Sequence, residues 1–181
     1  MSMDVNVTQS LPCTIRNARK GDGTDIWKLV TESGTLDVNS AYCYIMLCEY
    51  FADSCIVAEH NRNIIGFVSA LRPPEMPDTV FVWQIAVRAG YRGRGIAEAL
   101  LRTLYEAACR DRVRFMETTI APSNKTSHRL FAKMAKTWKS ALVTKEGFSS
   151  QLFPEGAHES EKLIRIGPLR HNIHDRMETV T

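Results

Sequence analysis

The chain has 181 residues, 44% hydrophobic and 24% charged, a balance suited to one globular domain with a sizeable core. Its net charge of +3 comes from scattered Lys and Arg residues, too weak and too dispersed to make nucleic acid a partner. No apolar stretch approaches the ~20 residues that span a bilayer. The polar start from Met1 to Cys13 also lacks the apolar core of a secretory signal, so a cytoplasmic protein without a membrane partner is expected. Cys13, Cys43, Cys48, Cys55 and Cys109 form no C-x-x-C and no metal-ligand spacing. An odd set of this kind reads as free thiols, with no metal site.

Along the chain, residues 1–12 read as a flexible start and Thr14 to Arg16 as a short strand. Gly21-Asp22-Gly23 predicts a break, followed by a helix from Asp25 to Glu32 with Ile26, Leu29 and Val30 on one face. A second helix is predicted from Ser40 to Phe51. Ser54 to Glu59 and Ile64 to Leu71 read as a β-hairpin, and Thr79 to Val87 as the next strand after a proline-stiffened loop. A glycine turn then leads into a helix from about Gly95 to Ala108, striped by Ile96, Leu100, Leu101, Leu104 and Ala108. Arg114 to Ile120 reads as a strand and Asn124 to Lys136 as a helix, with strands expected near Ser140–Thr144 and Leu163–Ile166. The domain is expected to span 13–168, with 169–181 a polar, flexible tail. The order β-α-α-β-β-β-α-β-α-β-β is that of a mixed α/β domain built on one sheet.

The turn at Arg92-Gly93-Arg94-Gly95 carries the first chemical signal. A strand that feeds a helix through glycines presents unpaired backbone N–H groups backed by the helix dipole, a site suited to phosphates. Gly93 and Gly95 allow close backbone approach. Arg92 and Arg94 add charge-assisted donors that fit a pyrophosphate. A solvated surface turn is the plain alternative. A Walker loop needs Gly-Lys followed by Ser or Thr, which is missing here. A dinucleotide fold would put glycine where Glu98 stands, and it would open on parallel strands instead of hairpins.

The run Arg92-Gly93-Arg94-Gly95-Ile96-Ala97 resembles the Arg/Gln-x-x-Gly-x-Gly/Ala turn of the GNAT acyltransferase superfamily, whose members bind acetyl-CoA. The element order from Thr14 to Pro168 is similar as well. The segment from Asn124 to Phe131 resembles that family's second cofactor motif, in which an asparagine opens the helix after the next strand. The resemblance implies a central mixed, mostly antiparallel sheet, splayed at Trp83–Val87 and flanked by helices. The pantetheine arm would lie in that gap, against Ile85, Ala86 and Val87. Three longer segments, LDVNSAYCYIMLCEYFADSCIVAE, FVWQIAV and METTIAPSNKTSHRLF, resemble the L-2,4-diaminobutyrate acetyltransferase family of ectoine biosynthesis. That resemblance implies acetyl transfer from acetyl-CoA to the 4-amino group of L-2,4-diaminobutyrate, in a homodimer.

Amine acylation needs a neutral nucleophile, a held carbonyl and a proton for the departing thiolate. A backbone N–H near Ile85–Val87 is expected to stabilise the developing oxyanion. Direct attack in a ternary complex suffices, because side-by-side binding already lowers the entropic barrier. Glu117 is the candidate base or amine anchor, against the alternative of an ordinary strand residue. Asp37 and Asn39 stand in the loop between the first two helices, as candidates to hold the substrate's ammonium and carboxylate, with Thr119 opposite. Helix capping is their rival role. Trp83 either walls the substrate pocket or fills the core, and His158 sits in a glycine-bearing loop able to close over the acceptor. Many GNAT enzymes carry a tyrosine general acid where this chain has Phe131, so either Tyr42 or water replaces it or the thiolate leaves unprotonated, a thiol being far more acidic than an amine. A GNAT enzyme acting on another diamine, a protein lysine or an antibiotic stays open at this point, as does a CoA-binding module without activity.

Overall fold

The antiparallel strands β1 (Thr14–Asn17), β2 (Cys55–His60), β3 (Asn63–Leu71) and β4 (Thr79–Val87) lie side by side in chain order. The fold is that of a computed structural model, which describes residues 12–34, 36–154 and 158–170. β5 (Phe115–Ile120) pairs with β4 in parallel, because helix α3 (Ile96–Arg110) carries the chain back across the sheet first. β7 (Lys162–Gly167) then inserts between β5 and β6 (Ala141–Glu146), giving the order β1-β2-β3-β4-β5-β7-β6. Among the described residues only β4–β5 is parallel, so the sheet is mixed and mostly antiparallel, as the family resemblance implies.

Each face of the sheet carries its own core. The predicted stripe of α3 is buried throughout and meets Ile56, Ala58, Ile65 and Val68, with Phe131, Met134 and Ala135 of α4 (Lys125–Thr137) beside it. On the other face, α1 (Gly23–Ser33) and α2 (Ala41–Tyr50) bring Ile26, Leu29, Val30, Tyr44, Leu47 and Cys48 onto Val57, Phe67 and Ala86. Gly23 does not break the chain as expected; it is the first residue of α1. A Cβ there would lie 2.6 Å from the backbone of Ile45, so glycine is what lets α1 and α2 touch.

Two irregularities of β4 place the site. First, β4 pairs with β5 only from Thr79 to Val82, opposite Phe115 to Thr118. Trp83 to Val87 have no strand neighbour on that side, and this is the predicted splay. Second, Gln84 pairs with Ser69 while Val82 pairs with Ala70, so Trp83 is an extra residue in a β-bulge. Side chains alternate across a strand with period two, so one inserted residue exchanges the faces beyond it. Val80 and Val82 accordingly pack toward α3, whereas Ala86 packs toward α1 and α2, with Ile85 and Val87 now on the α3 side.

Leu169 and Arg170, expected in the tail, are tied to the domain. Leu169 is buried and its N–H donates to the carbonyl of Arg114 at 2.7 Å, while Tyr105 Oη donates to the carbonyl of Arg170 at 2.8 Å. The expected flexible segments fall otherwise on residues 1–11 and 171–181, outside the described residues. No helix among the described residues is long and apolar enough to cross a membrane.

Candidate active site

The splay of β4 from β5 opens a cleft of about 1090 Å³, lined on one side by the N-termini of α3 and α4. The turn into α3 holds Gly93 at φ 75° and Gly95 at φ 76°, a left-handed backbone that favours glycine. A Cβ at either position would meet nothing within 4 Å, so both glycines border open cleft. The helical ladder of α3 begins with Ala99 N–H donating to Gly95 O at 3.0 Å, and the N–H groups of Ile96, Ala97 and Glu98 precede it. At α4, Asn124 is the cap, its Oδ1 accepting from Ser127 N–H at 3.0 Å. Two helix N-termini thus meet at one cleft, a strong arrangement for phosphate oxygens.

The two arginines of the turn divide their roles. Arg92 lines the cleft, but its Nε donates to Val87 O at 3.0 Å, bracing the turn against the end of β4. Arg94 is absent from the cleft lining; its guanidinium sits over the Tyr91 ring, 6.0 Å from the centroid. The expectation that both guanidinium groups meet a pyrophosphate is therefore corrected for Arg94. Ile85, Ala86, Val87, Ile96, Ala97 and Phe131 all line the cleft, and Phe131 is also part of the α3–α4 core.

The acceptor end is closed by the loop before α2 and the segment before β7. His158 Nε2 donates to Asp37 Oδ2 at 2.5 Å, and its ring stacks on Phe153 at 4.2 Å. The hydrogen bond to Asp37 raises the imidazole above its ordinary range, outweighing a small opposing effect of burial. Helix capping does not occupy Asp37 or Asn39, because Ser40 caps α2 by accepting from Cys43 N–H at 3.3 Å. Asn39 lines the cleft with one amide N–H donating to Asp37 O at 3.4 Å. Trp83 and Thr119 also line it, so Asp37, Asn39, Trp83, Thr119 and His158 share one cavity.

Two candidates fall outside it. Tyr42 is 73% exposed and does not line the cleft, because its position on α2 faces away from the sheet. Its assignment as proton donor is corrected. Glu117 stands opposite Phe81 in the paired part of β4–β5, before the splay opens, and its Oε1 accepts from Arg165 Nη1 at 2.5 Å. This buried carboxylate is engaged by a guanidinium and is absent from the cleft lining. Glu117→Ala is therefore expected to lower stability by about 3 kcal/mol, by stranding Arg165, with kcat nearly unchanged. Thermal unfolding beside steady-state kinetics checks this; a large fall in kcat without loss of stability would restore Glu117 as the base.

Tyr44, Gln84, Phe153 and Glu161 were not singled out from the sequence. Gln84 and Glu161 line the cleft, and Tyr44 Oη donates to Gln84 Oε1 at 3.1 Å. A lone glutamine in the apolar strand TVFVWQIAV was a readable signal. Glu161 gave none, because it lies in a polar stretch. No cysteine lines the cleft, and burial pushes the Cys48 thiol up to about 12 and the Cys55 thiol to about 11. These thiols are neutral and sequestered, unsuited to carrying an acyl group.

The Acetyltransferase (GNAT) family model matches residues 24–135. The L-2,4-diaminobutyric acid acetyltransferase of Marinococcus halophilus is 48% identical over 147 residues, covering 81% of this chain and 85% of that protein. The chain belongs to this acetyltransferase family. The Shouchella clausii member is 45% identical over 165 residues, covering 91% of this chain and 92% of its own. A diaminobutyrate acetyltransferase from Paenibacillus lautus, solved with L-2,4-diaminobutyric acid and coenzyme A, is 43% identical and superposes with a TM-score of 0.84. It covers 90% of this chain and 99% of its own. Within the GNAT fold the likeness extends to Ard1 from Thermoplasma volcanium, at 14% identity and a TM-score of 0.68. The overall fold of this acetyltransferase chain is thus shared with a protein of little sequence identity.

Proposed function

We infer that the chain transfers acetyl from acetyl-CoA to the 4-amino group of L-2,4-diaminobutyrate, giving N4-acetyl-L-2,4-diaminobutyrate for ectoine synthesis. The observation that carries this reading is one cleft with two chemically distinct ends. At one end stand the glycine turn, two helix N-termini and the unpaired edge of Trp83–Val87. Those features fit a pyrophosphate followed by a pantetheine amide chain. At the other end Asp37, Asn39, His158 and Glu161 line the cleft with Trp83, a polar set suited to a small zwitterion with a second amine. In this reading Asp37 and Asn39, with Thr119 opposite, hold the α-amino acid head, so that only the 4-amine reaches the thioester. Glu161 lines the same end, where its charge also favours the imidazolium form of His158. It is the proton acceptor of this reading, through water where needed. Backbone N–H groups of the unpaired segment stabilise the oxyanion. With Phe131 in place of a tyrosine, the thiolate leaves to solvent, since a thiol is far more acidic than an amine.

The acetyltransferase unit of this reading spans residues 13–170, and its setting is a homodimer in the cytoplasm. The exposed apolar side chains of Tyr42 and Tyr50 on α2, and of Leu142 and Val143 on β6, support a partner surface. A thiol-release assay tests the activity with acetyl-CoA and 2,4-diaminobutyrate, ornithine, lysine or buffer. Turnover is expected to be highest with diaminobutyrate, and NMR of the product should show acetylation at the 4-amine. Binding of CoA without turnover on any acceptor would make the chain a binding module instead, and a mainly 2-acetyl product would reverse the proposed orientation.

A further inference from the structure

Gln84 is an amide in a strand position between Trp83 and Ile85, and it is 6% exposed. Leu or Met would fill such a place without the cost of burying a polar group. The bulge at Trp83 turns Gln84 toward α2, and both ends of its amide are satisfied there. Its Oε1 accepts from Tyr44 Oη at 3.1 Å, and its Nε2 donates to the carbonyl oxygen of Asp37 at 3.0 Å. Tyr44 is 1% exposed, and its Oη also accepts from the N–H of Asn39 at 3.4 Å. The Tyr44 ring stacks at 6.4 Å on Trp83, the bulged residue itself. Two buried side chains thus tie the backbone of residues 37 and 39 to the stretch of β4 that lacks a neighbour toward β5.

We propose that Gln84 is a positioning residue, which with Tyr44 sets the height of the Asp37–Asn39 loop over the splayed half of β4 and so the reach of the acceptor amine. This rests on the reading above, in which Asp37 and Asn39 hold the acceptor. A loop fixed by its own side chains alone could drift relative to the strand that presents the thioester. A shift of ~1 Å between reacting groups can cost roughly a hundredfold in rate. The relay refers acceptor and acetyl donor to the same five residues of backbone, so the two remain in register.

The test compares Gln84→Leu, Tyr44→Phe, Asp37→Ala and the Asp37→Ala/Gln84→Leu pair. Thermal midpoint, acetyl-CoA affinity by calorimetry, acceptor KM and kcat are measured for each. Gln84→Leu is expected to raise acceptor KM roughly tenfold, the scale of a lost buried amide pair, with acetyl-CoA affinity held. Tyr44→Phe removes one hydroxyl without changing the fold's volume, and it should move acceptor KM in the same direction by less. The double variant should lose less than the sum of the two single losses, because the relay acts partly through Asp37, whereas full additivity would mean that Gln84 acts independently of the loop and would overturn the relay. Acceptor KM unchanged in both Gln84→Leu and Tyr44→Phe, with Asp37→Ala impaired, would overturn the relay alone. An unimpaired Asp37→Ala would overturn the acceptor-site reading and the relay with it. Equal losses of acceptor and acetyl-CoA binding would mark Gln84 as structural only, and if Gln84→Leu fails to fold, Tyr44→Phe decides.

Discussion

Gly95→Val is expected to weaken acetyl-CoA binding by at least roughly a hundredfold, equivalent to about 2.7 kcal/mol. Two effects act together. At φ 76° a β-branched residue is strained, at a cost of about 1–3 kcal/mol, and the turn would relax away from its present shape. If the turn held, the two γ-methyl groups would project into open cleft where phosphate oxygens must approach the N–H groups of α3. Gly95→Ala carries the same backbone strain with less bulk, so it separates the two causes and should weaken binding less. Calorimetry with acetyl-CoA on protein shown to be folded by circular dichroism gives the answer. Wild-type affinity in Gly95→Val would remove the α3 turn from the cofactor site.

Asp37→Asn is expected to produce the second large effect, a rise of roughly ten- to a hundredfold in acceptor KM, the scale of one lost charged hydrogen bond in binding. It should also change how the protein responds to pH. The Asp37 hydrogen bond raises the His158 pKa above its usual position. A raised histidine contributes stability that is fully present below its unfolded pKa of about 6.5. That contribution is lost as pH rises through the folded value. The stability gap between wild type and Asp37→Asn should therefore be present at mildly acidic pH and close under alkaline conditions. An NMR titration of the His158 imidazole should show a downward shift in the variant. An unchanged titration midpoint would mean that the contact between His158 and Asp37 does not form in solution.

Patterns that depend on local periodicity were legible in the sequence. The α3 stripe, the β2–β3 hairpin and the extent of β4 all follow from apolar spacing and turn residues, and their bounds agree within a residue or two. Gly93 and Gly95 were readable because a left-handed backbone and an open ligand face both select glycine. Glu117 was misread because its neighbours along the chain, Thr118 and Thr119, do line the cleft, whereas its own carboxylate is taken up by Arg165, the residue beside it on β7. Register across strands is a tertiary property, and composition carries no trace of it. Tyr42 was misread and Tyr44 missed because α2 is apolar around its whole circumference, so periodicity could not say which tyrosine faces inward. The pairing of His158 with Asp37 joins residues far apart in the chain, and no spacing rule reaches across that distance.

The extra residue at Trp83 makes β4 change sides halfway along its length. Beyond it, odd positions furnish the α3 wall and even positions look toward the acceptor loop, although all belong to one short run of backbone. Mutational tolerance along this run should therefore be interleaved instead of graded. Libraries that diversify position 84 can explore other acceptor amines while positions 85 and 87 keep the donor half intact. Deleting a single residue from the bulge would interchange the two sets at once, so insertions and deletions here should be far less tolerated than point changes.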